Sequence, residues 1–142
     1  MGLGSYWGEV IDVLREIIPV YDKVNSFISL GKDVEHRNRA IKGRVKKGDK
    51  ILDIGCGFGT AAAYIAKQTG CEVTGITLSK NQLDYAVQNA KELNLDNQIN
   101  FELRDYREMK GKFDKIYSIG MFEHTSLKYY NCLLYTSDAA DE

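Results

Sequence analysis

Four stretches of this chain hold residues whose types and spacing suit chemistry. ILDIGCGFGT (51–60) sets Gly55, Gly57 and Gly59 at alternate positions, with Cys56 inside the turn and Asp53 just ahead of it. A glycine turn between a strand and a helix bends the backbone tightly and lets a ligand lie against it with no Cβ in the way. ITLSKNQ (76–82) ends an apolar run on Thr77, Leu78 and Ser79, with Gln82 behind them. RDY (104–106) and GMFEH (120–124) close the next two apolar runs and supply Asp105, Tyr106 and Glu123. An acid beside a glycine turn can meet an ammonium, and an acid just past a strand end can accept from an exocyclic amine or serve proton transfer.

The spacing narrows the ligand. A dinucleotide turn reads G-x-G-x-x-G/A, with the pyrophosphate over the helix N-terminus and an acid near the end of the second strand for the ribose. Here the third glycine comes early, Thr60 takes the place of the last small residue, and the second strand ends in Thr77-Leu78-Ser79. D-x-G-x-G-x-G suits instead a cofactor that has an adenosine and an ammonium but no phosphate, namely S-adenosylmethionine. An NAD-binding oxidoreductase is the alternative that this spacing disfavours. Cys56 contributes its backbone to the turn, because no flanking base supports it as a nucleophile.

A sheet is needed to bring these residues into line. From Lys50 onward, short apolar segments alternate with helical ones. Strands are predicted over Lys50–Ile54, Glu72–Thr77, Ile99–Leu103 and 115–120, and a helix over Thr60–Thr69 with Gly70 at its C-cap. A second helix opens at Ser79 and carries Leu83, Ala86, Val87, Ala90 and Leu93 on one side. This alternation predicts an α/β fold: a Rossmann-like, doubly wound parallel sheet of order 3-2-1-4 that stops after strand four. Ahead of it, Trp7, Val10, Ile11, Leu14, Ile17 and Ile18 recur at helical spacing up to Pro19. A further helix over 20–30 ends at Gly31, and Asp33 caps a short one through Lys42. The expected organisation is an N-terminal helical segment (1–49) followed by a partial cofactor-binding domain (50–131).

ILDIGCGFG resembles the first motif of the class I S-adenosylmethionine-dependent methyltransferases. GITLSKNQLDYA (75–86) and RDYREMKGKFDKIYSIGMFEH (104–124), with KYY following, closely resemble the cyclopropane fatty acid and mycolic acid synthase family, and the likeness covers 51–130. It implies methyl or methylene transfer from S-adenosylmethionine to a lipid, an unsaturated fatty acyl chain. It also implies cofactor contacts from Asp53, Gly55, Cys56, Gly57 and Gly59, from Thr77, Leu78, Ser79 and Gln82 along the ribose and adenosine, and from Asp105 and Tyr106 at the adenine. The glutamate matching Glu123 is catalytic in that family, where it helps to hold a bicarbonate ion that acts as base. Two plainer readings remain open beside these. Ser79 and Gln82 form an S-x-x-Q capping box, and Asp105 is a turn-forming residue.

Upstream the likeness changes. No tyrosine-serine-cysteine segment of the kind those synthases carry precedes the glycine motif. Instead VYDKVNSFISLGKDVEH (20–36) resembles the entry motif of the ubiquinone/menaquinone biosynthesis methyltransferases, so quinone-ring methylation is the alternative acceptor chemistry. Between Lys32 and Lys50 the sequence is rich in Lys and Arg. That excess could meet an anionic headgroup at a membrane surface or an anionic substrate, but such a run is more often simply a solvated face.

The totals exclude other classes. With 142 residues, 44% apolar and 27% charged, the chain is a globular domain of modest size, and its net charge of −1 gives no case for nucleic acid. No apolar run reaches the length of a membrane span, and MGLGSYWGEV is no secretory signal. Cys56, Cys71 and Cys132 stand at spacings that fit neither a disulfide framework nor a zinc site. A cytoplasmic protein, at most peripheral to the inner face of the membrane, is expected. The last residues, CLLYTSDAADE (132–142), read as the in-frame translation of a transposase-type sequencing adapter. On that reading the sequence is the front of a longer protein. It would leave strand four unpaired on one side, inactive and prone to aggregate.

Overall fold

The computed structural model describes residues 33–119. The helices expected before residue 33, the end of the fourth strand at Gly120, Glu123 and the 132–142 tail lie outside the described residues. The chain divides into two compact units, Met1–Arg44 and Val45–Glu142.

In the first unit, α1 spans Asp33–Ile41. It stops one residue short of the expected Lys42, where Gly43 takes a left-handed φ of 75°. Arg44 closes it: the guanidinium Nη1 donates to the carbonyls of Arg39 and Ala40, both at 3.2 Å. A cation on the last carbonyls satisfies acceptors that no further turn would reach.

The second unit is built as the alternation predicts. β1 (Lys50–Ile54), α2 (Thr60–Thr69), β2 (Glu72–Thr77), α3 (Lys80–Glu92), β3 (Ile99–Leu103), a 3-10 turn (Tyr106–Glu108) and β4 (Lys115–Tyr117) follow in order. β4 ends before the expected 115–120, with Ser118 and Ile119 outside the strand. The four strands form one all-parallel sheet of order β3-β2-β1-β4. Ile51, Leu52, Asp53 and Ile54 of β1 are all buried, as a central parallel strand covered on both faces requires. Leu52, Ile54 and Ile76 form a core on one face, against which Tyr106, Met109, Phe113 and Ile116 pack. On the other face the register aligns Phe101, Gly75, Asp53 and Tyr117 in one row across the sheet. Lys42, Arg44, Lys46, Lys47 and Lys50 are exposed.

One feature of α3 differs from expectation. Its N-cap is Ser79, whose Oγ accepts from the Gln82 amide at 3.4 Å, but Leu93 is the C-cap and lies 45% exposed rather than on the core face. The reason is the helix stop. Asn94 takes a left-handed φ of 56°, its amide donating to Lys91 O at 3.0 Å while the Leu95 amide reaches back to Ala90 O at 2.8 Å. This paired closure turns the chain inward, so Leu95 instead of Leu93 is buried.

Candidate functional site

The glycine turn follows directly from β1. The amides of Gly55 and Cys56 both donate to Ile76 O, at 3.0 and 2.9 Å, which ties the turn to the end of β2. Gly55, Gly57 and Gly59 have φ of 74°, 55° and 77°, all left-handed. They nevertheless serve different ends. A Cβ on Gly59 would lie 2.5 Å from Phe101 Cζ and 3.0 Å from Ala86 Cβ, so this glycine lets the start of α2 pack on β3 and α3. A Cβ on Gly57 would meet nothing within 4 Å. The amides of Gly57 and Phe58 make no hydrogen bond with the described residues, and Gly59 caps α2 with no side-chain bond. Open space, spare donors and a helix N-terminus coincide at Gly57, which is where a ligand could approach the backbone.

Asp53 lies on the same strand, 2% exposed. Its Oδ2 accepts from the Tyr117 hydroxyl at 2.8 Å. Burial pushes the Asp53 carboxyl up to about 7, and the Tyr117 hydrogen bond pulls it part of the way back. Burial, then the Asp53 charge, holds the Tyr117 phenol well above its usual range, so the proton stays on the tyrosine. Cys56, buried and then repelled by Asp53, is pushed up to about 12 and is no thiolate nucleophile. Tyr117 is a residue that the motif reading did not name. The signal lay in register: a buried acid on a central strand needs a donor, and Tyr117 is its direct partner on β4.

Thr77 ends β2, buried to 6% exposure. Its hydroxyl donates to Gln82 Oε1 at 3.0 Å and accepts from the Ser79 amide at 3.1 Å. Only half of the predicted capping box therefore forms. Ser79 caps the helix, but the Gln82 side chain turns to Thr77 instead of to the Ser79 amide. Leu78 between them is 73% exposed. Past β3, Arg104 N donates to Thr77 O at 3.0 Å and brings Asp105 beside the end of β2.

Asp105 accepts from the Arg107 amide and Nε at Oδ1, both 2.9 Å, and from Nη2 at Oδ2, 2.6 Å. The Arg107 hydrogen bond holds its carboxyl below the usual range. Asp105 thus has the geometry of the turn-forming reading, capping the 3-10 turn, while Tyr106 packs partly buried against the Leu52–Ile54–Ile76 core. An edge-on contact of Phe58 with Tyr85, centroids 5.4 Å apart, joins the glycine turn to α3. The ends of β1, β2 and β3 therefore bring Asp53 and Gly55–Gly59, Thr77–Gln82, and Asp105–Tyr106 to one edge of the sheet.

Comparison with known proteins adds to this geometry. A family model described as mycolic acid cyclopropane synthetase matches residues 21–140. A probable fatty acid methyltransferase of Pseudomonas putida is 42% identical over 94 residues, covering 65% of this chain and 23% of that protein. The cyclopropane-fatty-acyl-phospholipid synthase of Escherichia coli K12 is 39% identical over 88 residues, covering 62% of this chain and 22% of that protein. Among solved structures, a mycolic acid cyclopropane synthase complexed with SAH and CTAB aligns with a TM-score of 0.68 at 26% identity, over 75% of this chain and 38% of that one. The chain spans less than a quarter of the length of these two sequence relatives.

Proposed function

The chain belongs to the mycolic acid cyclopropane synthetase family, and from that membership we propose that it is the cofactor-binding part of an S-adenosylmethionine-dependent methyltransferase acting on a lipid. The observation that carries the proposal is the conjunction of a buried acid, Asp53, with a glycine turn open at Gly57, at the carboxyl edge of a parallel sheet. The residues present fit the cofactor. Asp53 suits its ammonium, the amides of Gly57 and Phe58 suit its carboxylate, and 77–82 run along the nucleoside. The Asp105 carboxylate acts through the turn, placing Tyr106.

Bound there, S-adenosylmethionine would supply an electrophilic methyl group; the alkene that takes it would become a carbocation, and that cation must lose a proton to finish the product. Glu123 is the residue we assign to that second step, holding a bicarbonate ion as base. The acceptor we assign is an unsaturated acyl chain of a phospholipid. What supports a fatty acyl acceptor is that one relative is named for a fatty acid and the other for a fatty-acyl phospholipid.

Calorimetry of the full-length protein with S-adenosylhomocysteine and with NAD tests the cofactor, with binding expected only for the first. Transfer of a labelled methyl group to vesicles of unsaturated, but not saturated, phospholipid tests the acceptor, and Glu123→Gln is expected to cut it at least tenfold with cofactor affinity unchanged. Preferential NAD binding, or label passing to a quinone ring instead, would defeat the corresponding assignment.

A further inference from the structure

Asp53 and Tyr117 are register partners on adjacent parallel strands, so their side chains leave the same face of the sheet side by side. The tyrosine hydroxyl donates to Oδ2 at 2.8 Å. Oδ1 accepts nothing from the described residues, and none of their lysines, arginines or histidines pairs with this acid. The other neighbours bring no cation. Cys56 in the turn is a neutral thiol, Gly75 on β2 has no side chain, and Cys71 is a buried free thiol that carries no positive charge. On α2, Lys67 is exposed; on α3, Lys80, Asp84, Lys91 and Glu92 are all exposed. A desolvated carboxylate with one neutral donor is incompletely satisfied, and a spare oxygen beside an open glycine turn suits a cation that arrives with a ligand.

We propose that Tyr117 is a positioning residue for the cofactor: by donating to Asp53 Oδ2 it favours the ionised carboxylate over the protonated acid and leaves Oδ1 to the ammonium of S-adenosylmethionine. This rests on the cofactor assignment proposed above. The role is separable from packing because it sets a proton equilibrium. The Tyr117 bond lowers the Asp53 pKa, so removing the hydroxyl raises it, and the ligand must then displace a proton over a wider pH range.

The test is the affinity of S-adenosylhomocysteine, which carries the same ammonium, by calorimetry between about pH 5.5 and 8.5 on the wild type, Tyr117→Phe and Asp53→Asn. The wild type should lose about tenfold in affinity per pH unit below a break near 7. Tyr117→Phe should move that break upward by about one unit, binding several-fold more weakly at pH 7 and recovering toward pH 8.5. Asp53→Asn should bind weakly with no break. In parallel, carbon-13 NMR of aspartate-labelled protein without ligand, assigned through Asp53→Asn, reads the Asp53 titration itself and needs no binding. An unmoved break in a folded Tyr117→Phe, or Asp53 titrating with ordinary carboxylates near pH 4 in the wild type, overturns the role. Absence of binding at every pH overturns the cofactor assignment and the role with it, and the NMR titration then shows whether the pair alone was read correctly.

Discussion

Gly57 and Gly59 occupy the same turn with similar backbone angles, and substituting each by alanine separates a ligand cradle from a packing contact. Both positions have left-handed φ, 55° and 77°, so either alanine carries a backbone cost of about 1–2 kcal/mol. There the likeness ends. The new Cβ at 59 would stand 2.5 Å from Phe101 Cζ and 3.0 Å from Ala86 Cβ. Relieving that overlap means moving a ring wedged between β2, α2 and α3, at a further cost of about 1–3 kcal/mol. Gly59→Ala is therefore expected to destabilise by about 2–5 kcal/mol, a large share of the roughly 5–15 kcal/mol typical of a domain. Gly57→Ala meets nothing within 4 Å and should lose only the backbone part. Its methyl group instead occupies the space a cofactor would need, so S-adenosylhomocysteine affinity should fall at least tenfold, about 1.4 kcal/mol. Urea unfolding followed by tyrosine fluorescence gives the stabilities, and calorimetry at pH 8 gives the affinities. Equal destabilisation by the two substitutions would refute the packing distinction. A Gly57→Ala protein that binds as tightly as the wild type would refute the cradle.

The burial of Asp53 makes stability fall as pH rises. Its folded pKa, about 7, is above the unfolded 3.8, so between these values the native state holds more protons than the unfolded one and unfolding becomes progressively easier. The full loss is on the order of 4 kcal/mol, present above pH 7 and absent below pH 4. Asp53→Asn should remove this slope, so subtracting the two urea-derived stability profiles isolates it; parallel profiles would show that Asp53 is not desolvated. At the end of α3, Asn94→Gly is expected to raise stability by about 0.5–1 kcal/mol, because glycine takes the φ of 56° without strain. A lower thermal midpoint for that variant would mean that the asparagine side chain makes its own contribution to the closure.

The elements were legible because each obeys a local rule. An apolar run broken only by Asp53 and ending at Gly55 marked β1, Gly70 stopped α2, and Ser79 capped the start of α3. What escaped was decided across the sheet. Gly59 reads in sequence as part of a ligand motif, yet the contact that demands it comes from Phe101, on a strand two places away in the sheet. Leu93 reads as core at helical spacing, but the left-handed Asn94 ends the helix beneath it and hands the buried position to Leu95. Asp105 reads as a free acceptor until Arg107, two residues on, occupies both its oxygens. Tyr117 is the most consequential case. Nothing in KIYSIG marks the tyrosine, because its meaning depends on the parallel register that sets it against Asp53. A motif carries the groups that can meet a ligand, whereas the groups that fix their charge arrive from neighbouring strands. Any functional reading of Asp53 from its spacing alone therefore lacks the proton on which its chemistry depends.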